Sequence, residues 1–177
     1  AAESGALATE EGYTEQVDRL FADPRTRDAM AEFYREWLWL DDLQPMDALV
    51  GTPRFDAFAG DFSPGPDTHE HMVQEVLAML EHYTFDAEGS LADVMLSERS
   101  FATTDDVAEI YGVAPWTGGD PPVLPAGQRV GLLSRAALVA TGTANTRPIM
   151  KGVFIRTATL DCATCRFSHS RMRWFGS

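Results

Sequence analysis

Two cysteines near the end of the chain have the spacing of a reactive pair. Cys162-Ala-Thr-Cys165 is a C-x-x-C sequence, which occurs in redox pairs, zinc half-sites and haem attachment sites. Haem attachment requires a histidine directly after the second cysteine, where this chain has Arg166. A zinc site made of Cys162, Cys165 and His169 would need a fourth donor from elsewhere. We therefore expect a local disulfide or two free thiols in preference to a metal.

Three side chains of one predicted helix are weak candidates for metal ligands. His71, Glu75 and His82 are four and then seven residues apart, which places them on related faces of a helix. The run His69-Glu70-His71 lacks the H-E-x-x-H spacing of zinc proteases, so no such mechanism follows. We expect no metal here and interpret the three residues as polar groups at the surface or at the rim of the core.

A polar cluster between residues 141 and 147 is a candidate ligand-binding site. Thr143 and Asn145 lie beside Arg147, and hydroxyl and amide groups next to a guanidinium can hold a carboxylate or sugar hydroxyls. Trp116 stands in a Pro/Gly-rich loop, the context in which an exposed aromatic ring could stack on a sugar. The simpler alternative is that the cluster caps one helix and begins the next.

The elements that would position these groups are mainly helical. Apolar residues at helical spacing predict helices after Thr14, from Asp23-Pro24 to Leu40, and from Pro66-Asp67-Thr68 to about Tyr83. Two shorter helices follow, one capped by Ser90 and one capped by Thr103 or Thr104 and closed by Gly112. The acidic doublet Asp105-Asp106 is expected to serve solvation and helix capping. The three phenylalanines of the Gly/Pro-rich stretch are expected to pin a loop to the core: Phe55, Phe58 and Phe62.

Residues 114–128 contain four prolines and three glycines, which predicts a long ordered loop. Residues 132–141 predict a buried helix, although Ser134 and Arg135 interrupt the apolar stretch. Residues 148–160 predict a final helix or, because Val153-Phe154-Ile155 favours extended structure, a minor β element. The fold class is therefore mainly α, an irregular multi-helix bundle with long Pro/Gly-rich loops.

Charge excludes several kinds of partner. The chain has 177 residues and a formal charge of −13, with 27 acidic and 14 basic residues. This balance disfavours nucleic acid as a partner, because binding it requires clustered lysines and arginines to neutralise phosphates. No apolar run is long enough to span a membrane. Nearly all carboxylates precede residue 120, whereas residues 129–177 hold only Asp161 against several arginines. The basic end is expected to dock on the acidic body or on a partner.

Several short motifs resemble a known pair of domains. Asp23-Pro24-Arg25 followed by residues 33–38 (FYREWL), then 97–101 (SERSF) and Tyr111-Gly112, resembles domain of unknown function 1592. Residues 129–134 (RVGLLS), 146–149 (TRPI) and 151–154 (KGVF) are similar to the start of domain of unknown function 1588. The resemblance divides the chain into 1–113, the loop 114–128, and 129–160, all expected to form one compact structural unit.

The resemblance implies an extracytoplasmic protein and no known reaction. Such domains occur in large secreted, periplasmic or surface-anchored proteins of planctomycetes and myxobacteria, often with a c-type cytochrome segment. Haem would then belong to a neighbouring domain, and no cofactor is expected in this chain. The partners implied are neighbouring domains of a longer parent protein.

Residues 161–177 depart from the resemblance, which favours a Pro-rich continuation there. Back-translation with a shift of reading frame gives such a continuation, so we interpret 161–177 as an out-of-frame tail. Cys162 and Cys165 would then have no selected function. The final helix would lack its normal neighbour, and self-association through its exposed apolar face is expected.

Two functional hypotheses of different class follow. The sequence lacks a G-x-S-x-G element, a phosphate loop and a dinucleotide fingerprint, which favours a non-catalytic helical module. The resemblance implies that this module belongs to a larger extracytoplasmic, cytochrome c-associated protein. The alternative is a domain that binds or hydrolyses an extracellular polymer such as a carbohydrate, using residues 141–147 and Trp116.

Overall fold

A computed structural model describes residues 5–140 and 148–159, apart from the side chains of Phe58 and Thr159. The chain divides into two compact units, Ala1–Thr146 and Arg147–Ser177. The described residues are mainly helical, which confirms the predicted fold class. Their one isolated β-bridge joins Arg99 to Val123.

The first two helices of the first unit begin at side-chain caps. Helix α1 (Glu10–Phe21) starts at Thr9, whose side chain accepts a hydrogen bond from the amide of Gly12, so it begins earlier than the predicted start after Thr14. Helix α2 (Pro24–Trp37) starts at Asp23 with Pro24 in its first turn, as predicted. It ends before Leu40 because Trp39 adopts a left-handed conformation.

Residues 53–59 form a helix, α3 (Pro53–Ala59), where a loop was predicted. Thr52 caps it by accepting a hydrogen bond from the amide of Phe55, and Pro53 occupies the first turn. The prediction was wrong because glycines and prolines flank this segment without interrupting it. A local cap was enough to start a short helix between them.

Helix α4 (Thr68–Glu81) is the centre of the first unit. It contacts α2 on one side and α6 (Asp105–Tyr111) and α7 (Ala136–Val139) elsewhere. Most of its circumference is buried, including Met72, Val76 and Met79. A π-helical turn, His82–Asp86, continues from its end. A helix buried on most sides is the usual centre of a small helical domain.

The remaining elements pack around α4. Helix α5 (Leu91–Leu96) starts at a capping box in which Ser90 and Asp93 bond each other's backbone amides. Helix α6 ends at Gly112, which has the left-handed conformation predicted from its type and position. Residues 113–128 are irregular, as predicted, apart from the bridge at Val123.

The single buried helix predicted over 132–141 is instead a 3-10 turn, Leu132–Ser134, followed by the four-residue α7. Arg135 between them is extended, with φ −67° and ψ 147°. The guanidinium of Arg129 donates to the carbonyl of Ser134, which stabilises the break. Residue 141 lies outside the described residues.

In the second unit, helix α8 (Pro148–Phe154) is followed by a π-helical turn, Ile155–Thr159. The helical alternative is therefore right for this segment, and the minor β element is absent from the described residues. Val153, Phe154 and Ile155 favour strands, but local hydrogen bonding satisfies their backbone without a partner strand. Ile149, Met150 and Val153 are exposed.

Candidate functional site

A buried carboxylate lies at the centre of the first unit. Helix α4 places Glu75 where its Oε1 accepts hydrogen bonds from Nη1 of Arg135 at 3.0 Å and from the amide of Phe101 at 3.3 Å. Its Oε2 accepts a hydrogen bond from the Tyr111 hydroxyl at 3.0 Å. The side chains of Glu75 and Arg135 are both 0% exposed. A charged pair this deeply buried is tolerated only when its hydrogen bonds are made.

Arg135 is held by backbone carbonyls as well as by Glu75. Its Nη1 donates to the carbonyl of Arg99 at 2.7 Å, and its Nη2 to the carbonyl of Ser97 at 3.4 Å. We call these acceptors, the Glu75 carboxylate and the carbonyls of Arg99 and Ser97, the Arg135 socket. The socket joins α4 and the segment after α5 to the chain just before α7.

The Tyr111 hydroxyl connects the same elements a second time. It donates to Glu75 and accepts a hydrogen bond from the amide of Ala136 at 2.9 Å. The guanidinium carbon of Arg129 lies 5.1 Å from the centre of the Tyr111 ring, a cation–π contact. Tyr111 therefore ties α6 to α4 and to the first residue of α7.

Electrostatics matches this geometry. Burial raises the pKa of the Glu75 carboxyl, while the charge of Arg135 and the hydrogen bond from Tyr111 act in the opposite direction. Burial, followed by the negative charge of Glu75, raises the pKa of the Tyr111 phenol well above its ordinary value. The phenol therefore stays protonated and can donate. Solvent does not reach the side chains of Glu75 and Arg135. The network therefore serves to hold these segments of the chain together.

A second polar cluster is partly open to solvent. Oδ2 of Asp106 accepts a hydrogen bond from the Thr68 hydroxyl at 2.7 Å and lies 2.9 Å from Nδ1 of His71. The hydroxyl of Thr68 in turn accepts a hydrogen bond from the amide of Gly65. The side chains of His71 and Asp106 are 37% and 25% exposed. The cluster connects the first turns of α4 and α6.

The Asp106 carboxylate is strongly stabilised in its ionised form. Burial would raise its pKa, but hydrogen bonds, including those from His71 and Thr68, outweigh burial and lower the pKa to about 2. A carboxylate bonded to Nδ1 of a histidine fixes the orientation of the ring. Asp106 was predicted to serve solvation and helix capping, and its role across α4 and α6 was missed.

Trp116 packs against aromatic rings of the core. Its ring meets Phe101 edge-on at 5.3 Å between centroids and His82 at 6.2 Å. Its Nε1 donates to the carbonyl of Gly119 at 3.0 Å. The half-buried indole thereby closes the 114–128 loop onto the core, and this binding-site candidate has a clear packing role.

The three candidate metal ligands have separate neighbours. His71 pairs with Asp106, Glu75 is bonded to Arg135, and His82 lies among Tyr83, Phe101 and Trp116. Within 5–140 and 148–159, no group of three or more His, Cys, Asp or Glu residues is arranged to hold a metal ion.

Other predicted site residues lie outside the described residues. They are Thr143, Asn145, Arg147, Cys162 and Cys165. The 141–147 cluster, the disulfide and the out-of-frame tail therefore stay predictions.

Two central residues were missed at the sequence level. Arg135 was seen only as an interruption of an apolar stretch, and Tyr111 only as part of a short helix and of a motif of the family resemblance. A signal for Arg135 was present, since a charged residue among Leu132, Ala136 and Leu138 is rarely fully buried without a partner. No pattern in the sequence identified Glu75 as that partner, 60 positions away.

Comparison with known proteins identifies a family. No curated protein sequence and no solved structure matches the chain. Among the described residues, no helix is long and apolar enough to cross a membrane. Residues 1–113 match the family described as PSD4, protein of unknown function (DUF1592). Because this match covers more than half of its residues, the chain belongs to the PSD4 family of proteins of unknown function (DUF1592).

Proposed function

We propose that the chain is a non-catalytic helical module of a larger extracytoplasmic protein, built to pack with the segment that follows its family region. One observation carries this proposal. Arg135 lies beyond the family-matched residues 1–113, yet its guanidinium is buried against Glu75 and the carbonyls of Arg99 and Ser97 within them. The family region thus supplies a binding site for its own continuation.

The parent protein we propose is associated with a c-type cytochrome. The proposed association rests on the resemblance of residues 129–160 to domain of unknown function 1588. It also rests on the c-type cytochrome segments that often accompany such domain pairs in the same protein. The module would provide cohesion between neighbouring domains, and haem chemistry would belong to another domain. The ion pair of Glu75 and Arg135 supports a packing role because solvent does not reach either side chain.

The packing role is testable by limited proteolysis of the whole chain. We expect Arg135→Ala to make the peptide bond after Arg129, and the bonds on either side of residue 135, more accessible to proteases. The control Arg25→Ala, at an exposed arginine, should leave cleavage at these bonds unchanged. Equal digestion of the two variants would refute the packing role.

The cytochrome association is tested on the full-length parent protein. A C-x-x-C-H motif in the same reading frame, together with c-type haem absorption of the purified protein, would support it. A parent without haem, combined with thermal stabilisation of this chain by oligosaccharides, would favour the polymer-binding alternative.

A further inference from the structure

Helix α1 carries an apolar stripe that the described residues leave largely uncovered. Tyr13, Val17, Leu20 and Phe21 follow each other at helical spacing on one side of α1. Tyr13 is 61% exposed, Leu20 53% and Phe21 49%. The one buried residue of this helix is Gly12, which lies against the backbone of Ala6. A helix with such a stripe normally buries it.

The C-terminal end of α1 is fixed to the body of the first unit. The Phe21 ring lies 5.7 Å from that of Phe85, and the guanidinium of Arg27 stacks over Phe85 at 4.7 Å. The side chain of Thr26 also bonds the carbonyl of Leu20. The end of the helix is therefore anchored, and the stripe from Tyr13 to Leu20 is presented to solvent by a fixed support.

Charge restricts what can cover the stripe. Helix α1 carries four carboxylates, Glu10, Glu11, Glu15 and Asp18, against the single arginine Arg19. The body behind it is acidic too, since residues 1–128 hold 26 of the 27 carboxylates and six of the 14 basic residues. A second copy or an anionic membrane would place negative charge against negative charge.

We propose that α1 is a docking helix for a cationic amphipathic segment of a partner protein, one that presents an apolar face flanked by lysine or arginine. The apolar stripe provides the buried contact, and the carboxylates of α1 provide charge complementarity and speed of association. The proposal goes beyond the packing function, and it uses none of the residues of the Arg135 socket. The packing function and the docking of a partner can therefore each be disproved without affecting the other.

The experiment uses three synthetic peptides of equal length with the whole chain. The probe is a fluorescent lysine–leucine amphipathic helix, and the controls are a glutamate–leucine helix of the same pattern and a lysine–serine peptide that lacks the apolar face. We expect the lysine–leucine peptide to bind at least roughly tenfold more tightly than either control. Its affinity should fall as salt is raised, because the charges are exposed.

Matched variants locate the contact. Tyr13→Ser combined with Leu20→Ser should weaken binding of the lysine–leucine peptide by roughly tenfold or more. Leu91→Ser combined with Leu96→Ser removes two equally exposed apolar side chains from α5 and should leave binding unchanged. Circular dichroism checks that both variants retain helix. Hydrogen exchange should show protection by the peptide over residues 10–21.

Three outcomes would overturn the proposal. The first is equal weakening by the α1 and α5 variants, or peptide protection located away from α1. The second is equal binding of the lysine–serine peptide, which would reduce the effect to bulk charge. The third is a concentration-dependent dimer abolished by the α1 variant, which would assign the stripe to a second copy.

Discussion

At the scale of residues, the Glu75–Arg135 pair has more to do with specificity than with net stability. Removing two charges from water costs several kcal/mol each, roughly what their attraction returns. Among the described residues, none accepts a hydrogen bond from Nε of Arg135, which adds to the cost. The pair favours the arrangement of α4 and the 129–140 segment in which both buried charges are bonded.

Breaking the pair from one side should destabilise the chain strongly. Glu75→Gln leaves the guanidinium of Arg135 buried without its counter-charge, and we expect a loss of about 3 kcal/mol in the free energy of unfolding. Urea denaturation followed by circular dichroism measures it. The matched control is Glu81→Gln on the same helix, whose ion pair with Arg27 is exposed and worth at most about 1 kcal/mol.

A double variant separates charge from packing. Glu75→Leu combined with Arg135→Met replaces both charges by apolar groups and should recover much of the stability lost in Glu75→Gln. If Glu75→Gln were no worse than Glu81→Gln, the buried pair would not hold the segments together.

Asp106 should make stability depend on pH in the acid range. Its pKa in the folded chain, about 2, lies below the ordinary 3.8, so the ionised form favours folding. That contribution, about 2 kcal/mol, is complete above about pH 5 and is lost as the pH falls through 3.8 towards 2. Asp106→Asn should therefore cost about 2 kcal/mol at pH 7 and much less at pH 2.

Denaturation at a series of pH values tests this expectation. Asp105→Asn is the control, because Asp105 is the exposed neighbour on the same helix turn. A difference between Asp106→Asn and the unchanged chain that stays constant from pH 7 to pH 2 would contradict the assignment.

At the scale of elements, α5 and the 129–140 segment touch through their backbones. The amide of Gly131 donates to the carbonyl of Ser97 at 2.8 Å. Gly131 has φ +66°, and a Cβ on it would lie 1.8 Å from the carbonyl oxygen of Met95. Only glycine permits both this left-handed conformation and this close approach to the backbone of α5. Gly131 therefore controls how closely the segment that carries Arg135 can lie to α5.

Gly131→Ala should consequently open this contact. The added Cβ meets rigid backbone, and we expect a loss of more than about 2 kcal/mol in the free energy of unfolding. Gly51→Ala is the control, because Gly51 also has a positive φ, +80°, but has no atom within 4 Å of the added carbon. Gly51→Ala should lower the free energy of unfolding by about 1 kcal/mol, the cost of the backbone strain alone. Urea denaturation compares the two, and equal losses would rule out the close approach as the cause.

At the scale of the whole molecule, the buried core of the first unit extends past the family region. Leu132, Ala136, Ala137 and Leu138 are buried in the first unit, and all lie beyond residue 113. A fragment of residues 1–113 would uncover the apolar groups of α4 and leave Glu75 without Arg135.

We expect the fragment 1–113 to lack a cooperative thermal transition and the fragment 1–146 to have one, because the second includes Arg135 and α7. Circular dichroism on heating distinguishes the two fragments. A cooperative transition of 1–113 equal to that of 1–146 would show that residues 114–146 are dispensable.

Much of the fold could be predicted because its causes are local. Pro24 after Asp23 begins a helix and Gly112 ends one through constraints that act within a few residues. Apolar spacing identified α4 as a helix with a wide buried face. The prediction of a loop that includes Phe55 and Phe58 was wrong, because the cap by Thr52 and the first-turn Pro53 outweighed the flanking glycines and prolines.

The sequence by itself determined the helical class, the start of α2 at Asp23-Pro24, the end of α6 at Gly112, the acidic charge and the family of residues 1–113. Only the tertiary structure decided which polar residues matter: Arg135 joins Glu75, and Asp106 joins His71. The reason is physical. Helix periodicity and capping depend on residues a turn apart, whereas a buried charge finds its partner across 60 positions of chain, after the apolar faces have packed.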